Sequence, residues 1–408
     1  MEKFVTKKRP TCQYGAQCYR KNAEHRKNYW HPPSEESAAK QQDNVKSEAE
    51  TSESEDKSAS CSVQKRKHDA DAEAVLQSQL SDQAGPAKKS KVEQASGSHG
   101  DFSADVSDEQ KSQIKQKFLF HMPDDFYQLW KLACRLKSEQ PSDAFSEAAI
   151  KLVGPFDWLA GKFEGSDVSE EQFLLHWRFY SDIPEAQTVM VGETSHIAYL
   201  RDHCTDGSRS PVVCSIPNST EHFAKISVVG DNLFAGVKAL LEEAKSDKAE
   251  SLLEAVEKEA ATHDLSLSAN SARVRERKRS VVAWTLHGAG IVVPVRNDVG
   301  YRELPETNAS LKKLLTVIGS TDEEKVREGK MSKVEEMVTY VQFANDEADF
   351  GMGLELGHDL FSSGYPLFHR QTGQLLSVAY MLLNRPLFAK ILEAHLANRK
   401  TGSRLSVV

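Results

Sequence analysis

Apolar and polar positions alternate along MVTYVQFANDEADFGMGLELG, residues 337–357. Met337, Thr339, Val341 and Phe343 would share one face of a strand, with Val338, Tyr340 and Gln342 on the other. The alternation stops at Asn345, where Asp346, Glu347 and Asp349 follow, and then Gly351, Gly353 and Gly357. A strand that empties into an acidic, glycine-flanked loop presents a carboxylate from a rigid base. An ordinary solvated acidic turn has the same pattern.

Upstream, Ser107-Asp108-Glu109-Gln110 reads as a capping box that opens a helix over 108–121. A second helix over 123–138 carries Phe126, Leu129, Trp130 and Ala133 at helical spacing, with Pro123 near its start. Leu152-Val153-Gly154-Pro155-Phe156 marks a turn. LLHWRFYSD, AQTVMVGE, SHIAYLRD and PVVCSIPN then read as short strands between polar turns. Helices return over 231–246 and 247–263, and a basic stretch runs from Arg273 to Arg279. SVVAWTLHGAGIVVPV predicts two buried strands broken at Gly288 and Gly290. Next come a helix over 308–318, a charged helix over 321–330, the strand at 337–343 and a C-terminal helical pair. The last helix has Pro386 near its start and an apolar stripe of Leu387, Phe388, Ile391, Leu392 and Leu396, which reads as core. The expected class is α+β: a mixed, largely antiparallel sheet packed with helices, with a helical N-terminal part.

The stretch between His31 and Asp101 breaks this regularity. It contains no Phe, Trp, Tyr or Ile and is dominated by Ser, Glu, Lys, Gln and Ala. Such a segment cannot bury enough apolar surface to offset its chain entropy, so it reads as a disordered linker. Two basic clusters within it, Lys65-Arg66-Lys67 and Lys88-Lys89-Ser90-Lys91, have the composition of a nuclear localisation signal. The expected units are a small finger at 8–32, a linker at 33–106, a helix-and-strand part at 107–230 and an α/β part at 231–400.

Charge and cysteine usage sharpen the picture. The net charge of −8 hides an N-terminal end, residues 1–32, with eight Lys/Arg against two Glu. That end favours a polyanion, while the body is the more acidic for it. Six cysteines in 408 residues, unclustered apart from Cys12 and Cys18, fit a reducing compartment rather than a disulfide scaffold. No apolar run of about 18 residues is present to span a membrane, and the N-terminus has no signal-peptide core.

Between Cys12 and Cys18 lie five residues, six more precede His25, and five more precede His31. Two thiolates and two imidazoles in so short a peptide can close a tetrahedral zinc shell, and the metal would supply the folding energy. Cys12-Gln13-Tyr14-Gly15, Cys18-Tyr19-Arg20 and His31-Pro32 resemble the poly(ADP-ribose)-binding zinc finger. The resemblance implies that Tyr14, Tyr19 and Arg20 hold adenine and phosphates of the polymer. An aromatic face stacks on a base, and a guanidinium grips phosphate oxygens bidentately.

No G-x-x-x-x-G-K-[ST], G-x-G-x-x-G, G-x-S-x-G or H-E-x-x-H motif occurs in suitable context. Cys134, Cys204 and Cys214 read as structural, and His176 and His287 as packed histidines. The remaining candidates are the 346–349 carboxylates and the polar island from Asn297 to Glu306, NDVGYRELPE. Its Tyr301-Arg302 pair, in a Gly/Pro-bounded loop, suits contact with the acidic loop or a clamp on a phosphate or carboxylate.

NDVGYRELPET (297–307), FANDEADFGMGLELG (343–357), GPFDWLAGK and LHWRFY resemble the histone PARylation factor 1 family over about residues 108–400. That resemblance implies an accessory factor, not an enzyme alone, acting in the nucleus on chromatin during the DNA damage response. It implies docking on a poly(ADP-ribose) polymerase catalytic domain, which uses NAD+, and modification of serine on histones. Glu347 matches the family's catalytic glutamate and Asp346 its neighbouring polymerase contact. Phe343, Asp349, Tyr301, Arg302 and, more weakly, Asp298 match positions implicated in docking or in shaping the cleft. Vertebrate members of that family have cysteine where Ala348 stands and phenylalanine where Met331 stands, both on the docking surface that the resemblance implies. Two other readings stay open: a hydrolase of the ADP-ribose linkage using Glu347 and Asp349 as an acid/base pair, and a polymer reader whose large domain only scaffolds.

Overall fold

The structure, a computed structural model, describes residues 104–204, 210–219, 222–399 and 405–408. The finger with Cys12, Cys18, His25 and His31, residues 33–103 of the linker and both basic clusters lie outside the described residues.

Ser107 opens helix α1 (Asp108–Phe118) with the expected capping box, and α2 (Asp124–Leu136) follows with Phe126, Leu129 and Trp130 buried. A two-residue strand β1 (Lys151–Leu152) leads to the short helices α3 (Pro155–Leu159) and α4 (Glu170–Leu175). Gly154 makes the predicted turn at φ 66°, where a Cβ would lie 2.6 Å from the Thr188 carbonyl oxygen. Only glycine fits so close an approach. Strands β2 (Ala186–Val191), β3 (Ser195–Leu200), β4 (Val212–Pro217) and β5 (Ser227–Gly230) complete a sheet in the order β1-β2-β3-β4-β5. Every pairing is antiparallel, so the expected mixed character resolves to one meander.

The sheet is buried on both faces. Ile197, Tyr199 and Val213 point to a core shared with Phe126, Trp130 and Phe156, and with α5 (Leu233–Ala244) and α6 (Asp247–Thr262). Ala198, Leu200, Val212, Cys214 and Ile216 point the other way. They meet Phe361 of α10 (Gly351–Ser363), Tyr380 of α11 (His369–Leu382), and Phe388, Ile391 and Leu392 of α12 (Pro386–Asn398). Period-2 geometry therefore feeds two cores from one strand. Between these groups lie α7 (Ala272–Ser280), α8 (Asn308–Ser320) and α9 (Glu324–Asp346). A third core joins Leu311 and Leu315 of α8, Val334, Met337 and Val341 of α9, and Leu356 and Leu360 of α10.

Buried polar groups tie the layers. The Asp125 carboxylate accepts from the Tyr199 hydroxyl at 2.8 Å and the Leu233 N–H at 2.7 Å, joining α2, β3 and α5. Burial pushes its carboxyl up to about 6. His176 meets Asp157 at 2.8 Å, and burial holds His287 well below the usual histidine range. Both are packed histidines, as expected. Burial likewise raises the thiols of Cys134 and Cys214, to about 11 and about 12, which makes them poor nucleophiles.

Four predicted strands, in three segments, are not strands. Residues 337–343 belong to α9, which absorbs the charged helix predicted separately over 321–330. The buried positions Val334, Met337, Val341 and Ala344 recur at helical spacing, while Thr339 and Phe343 face solvent. LLHWRFYSD is the end of α4 and a loop, knotted around Arg178, which donates to the Leu174, Ile183 and Ala186 carbonyls. SVVAWTLHGAGIVVPV makes only the isolated bridge Ala283–Ile291. Side chains satisfy its buried backbone instead of a ladder. Arg277 donates to the Ala289 and Gly290 carbonyls, Arg385 to Val292 and Lys225 to Leu286, while Asp359 accepts from the Leu286 N–H.

A carboxylate pair clamped by a buried arginine at a helix end

Glu347 occupies the C-cap of α9, not the end of a strand. The helix stops in a Schellman turn: the Asp349 N–H donates to the Ala344 carbonyl at 2.8 Å, and the Ala348 N–H to Asn345 at 3.0 Å. Ala348 takes the left-handed position, φ 62°, which glycine usually fills. The turn fixes the backbone from which the Glu347 side chain leaves.

A two-residue hairpin supplies the opposing wall. Arg296 and Val299 exchange both backbone hydrogen bonds, and Asn297 and Asp298 between them have φ 51° and 64°. Two consecutive positive φ values make a type I′ turn, which asparagine and aspartate tolerate. After the hairpin, the Gly300 N–H donates to Asp349 Oδ1 at 2.9 Å, and the Gly351 N–H donates to the Gly300 carbonyl at 2.9 Å. A Cβ on Gly300 would lie 2.1 Å from the Pro294 carbonyl oxygen, so the approach requires glycine.

Arg302 is the centre of the site. Its Nη2 lies 2.8 Å from Asp349 Oδ2 and also pairs with Glu347 Oε2. The Arg302 and Asp349 side chains are buried, whereas that of Glu347 is 31% exposed. One buried cation thus holds two carboxylates, one inside and one at the surface. The carboxylates sit where the carbonyl end of α9 already carries partial negative charge, a costly position that the guanidinium offsets. Of the other predicted site residues, Asp346 is exposed at the last position of α9, and Phe343 is 55% exposed one turn earlier. Positions 343, 346 and 347 share one helical face. Tyr301 is half-buried, and Asp298 sits in the hairpin turn. The structure brings Glu347, Asp349, Tyr301 and Arg302 together, with Phe343 and Asp346 on the adjoining face.

The sequence reading did not single out Glu355 or Asp359. Both are buried on α10, and the Tyr301 hydroxyl donates to Glu355 Oε2 at 2.9 Å. Burial, with Glu303 nearby, pushes the Glu355 carboxyl up to about 7. Burial also raises Asp359 well above the carboxylate range. The available signal was two carboxyls one turn apart inside the apolar run GLELGHDLF. Among the described residues no group of three or more His, Cys, Asp or Glu could hold a metal ion. No helix of the described residues is long and apolar enough to cross a membrane.

The family model for histone PARylation factor 1 matches residues 109–399, and that for the PBZ domain matches residues 9–34. The histone PARylation factor 1 of Bos taurus is 44% identical over 313 residues, covering 72% of this chain and 88% of its own. Those of Mus musculus and Danio rerio are 42% and 41% identical, covering 72% and 73% of this chain and 88% of each relative. With a family match across most of the chain and relatives of this identity, the chain belongs to the histone PARylation factor 1 family and carries a PBZ domain ahead of it.

Proposed function

We propose that this protein completes the active site of a poly(ADP-ribose) polymerase and directs its ADP-ribosylation to serine on histones. Glu347 is the general base of the joint site. The observation that carries this reading is the partly exposed Glu347 carboxylate, pinned by buried Arg302 at a rigid helix end. A serine hydroxyl is a poor nucleophile at its ordinary pKa and needs a base within hydrogen-bond reach. Glu347 can offer one oxygen to that proton while Arg302 holds the other. Asp346, Phe343 and Asp298 meet the polymerase, and Tyr301, Arg302 and Asp349 build the wall behind the base. The polymerase binds NAD+; this chain supplies the proton acceptor. Acidic residues at such a cleft also attract serine acceptors flanked by lysine in histone tails.

A hydrolase acting through two carboxylates fits less well, because Asp349 is fully buried and already bonded to Arg302 and Gly300. The PBZ domain, we infer, binds zinc through Cys12, Cys18, His25 and His31 and grips poly(ADP-ribose) through Tyr14, Tyr19 and Arg20. It would tether the factor to polymer made at a DNA break in the nucleus and raise its local concentration there.

Glu347→Gln tests the assignment, since it keeps shape but cannot take the proton as a carboxylate does. Polymerase affinity, read by titration, should stay near wild type. Serine labelling, read by mass spectrometry of acceptor sites, should fall about 10²–10⁴-fold. Labelling of Asp and Glu by the polymerase should continue, because a carboxylate acceptor needs no base at neutral pH. Serine labelling at the wild-type rate would refute the base role.

A further inference from the structure

Two buried carboxyls of α10 have no part in the proposed chemistry. Asp359 closes the irregular segment after α7 by accepting from the Leu286 N–H. Glu355 faces the site instead. Its Oε2 accepts from the Tyr301 hydroxyl at 2.9 Å, and Tyr301 is the residue before Arg302. Neighbouring side chains on one extended segment therefore both end on carboxyls, Tyr301 on Glu355 and Arg302 on Glu347 and Asp349.

The segment 300–302 is held against the start of α10 at successive points. Gly300 donates to Asp349, Gly351 donates to Gly300, and Tyr301 reaches Glu355 one turn further along the helix. The first two contacts lie at the glycine, whose φ of 128° gives it freedom that other residues lack. The Tyr301–Glu355 bond adds a hold away from Gly300, next to the Arg302 pairs with Glu347 and Asp349. Glu355 is 6% exposed, so it acts through Tyr301 and not by touching an acceptor.

We propose that Glu355 is a positioning residue of the composite site, which fixes through Tyr301 the direction in which Arg302 presents Glu347. This rests on Glu347 being the base. Small misplacements of a catalytic group are expensive: an error of about 1 Å can cost 10²-fold in rate.

Three variants in the full chain test it, each assayed with the polymerase catalytic domain for affinity and for serine-labelling rate at saturating factor. Glu355→Leu removes the acceptor and should lower the saturated rate about tenfold or more. Glu355→Gln keeps an acceptor oxygen for the tyrosine and should rescue most of that loss, which a role in packing alone would not predict for so polar a replacement. Tyr301→Phe removes only the hydroxyl and should lower the rate as Glu355→Leu does; the double variant should be no worse than either. If Glu355→Leu does not fold, Tyr301→Phe against Glu355→Gln carries the test. Wild-type rates for Glu355→Leu or Tyr301→Phe, or failure of Glu355→Gln to rescue, would overturn the proposal. A dead Glu347→Gln with an active Glu355→Leu sinks the positioning role alone, whereas an active Glu347→Gln sinks the base reading and this with it.

Discussion

At the scale of single residues, the catalytic candidate is held by a turn that its own sequence disguises. A Schellman turn wants glycine at the left-handed position, and here that position is Ala348 at φ 62°. An L-residue pays about 1–2 kcal/mol there, and glycine costs about 0.5–1 kcal/mol through its freer unfolded chain. Ala348→Gly should therefore raise stability by about 0.5–1 kcal/mol in a urea titration, with the helix end unchanged. A loss of stability would mean that Ala348 packing outweighs the strain. The same alanine explains a misreading: with no glycine to mark the end of a helix, alternation over 337–343 reads as a strand running into a loop. Contact of Arg302 with the acidic loop was legible as one of two options, beside a clamp on a phosphate or carboxylate, because an arginine in a glycine-bounded loop seeks an anion; the bond of Tyr301 to Glu355 was not. The depth of the Arg302 pairing was not legible. Arg302 looks like a surface contact in sequence, yet it is buried with Asp349 as a prop under Glu347.

Among the elements, α10 has the largest say in the site, since its first turns meet Gly300, Tyr301 and the third core. Its buried carboxyl gives it a pH signature. Glu355 ordinarily titrates at 4.5, and burial moves it to about 7 in the folded protein. The folded state therefore keeps a proton that the unfolded chain releases. Its stability falls as pH rises through that window and levels off once both states are ionised. The shift corresponds to about 3 kcal/mol at most. Glu355→Gln removes this titration and leaves Asp125 as it is; it also removes the Glu355 charge that helps to raise Asp359, which acts in the same direction. The gap between variant and wild-type stability should thus widen in the variant's favour from about pH 4.5 to about pH 7. A gap that does not change with pH would mean that Glu355 ionises normally. The helices at 108, 124, 233 and 247 were readable because caps and apolar spacing agree locally. The segment from 281 to 293 was not. It is as apolar as a strand, but its backbone partners are Arg277 of the preceding helix and Arg385, Lys225 and Asp359, which arrive from distant parts of the chain.

On the scale of the whole molecule, one antiparallel meander serves two cores, and the face that carries Ala198, Leu200 and Val212 supports the helices behind the site. The α+β class was legible because strands of alternating pattern sit between capped helices. The third core was not, since it needs Val334, Met337 and Val341 on one helix face, a pattern that the strand reading of 337–343 hid. The described domain and the PBZ segment also differ in what each needs to be stable. The domain buries three apolar clusters and has no metal-ligand group among the described residues. The finger sequence has four zinc-type ligands and too few apolar residues for a core, so its folding free energy would come from the metal. A chelator applied to the full chain should then separate two activities. Poly(ADP-ribose) binding should collapse, and Cys18→Ala should reproduce that loss without chelator. The main thermal transition should shift by less than about 1 °C, because nothing that binds the folded domain has been removed. Polymerase docking and Glu347-dependent serine labelling on free histone should continue. Polymer binding that survives chelation would refute the zinc reading of Cys12, Cys18, His25 and His31. A main transition that falls with the metal would instead mean that the two parts of the chain are coupled in folding.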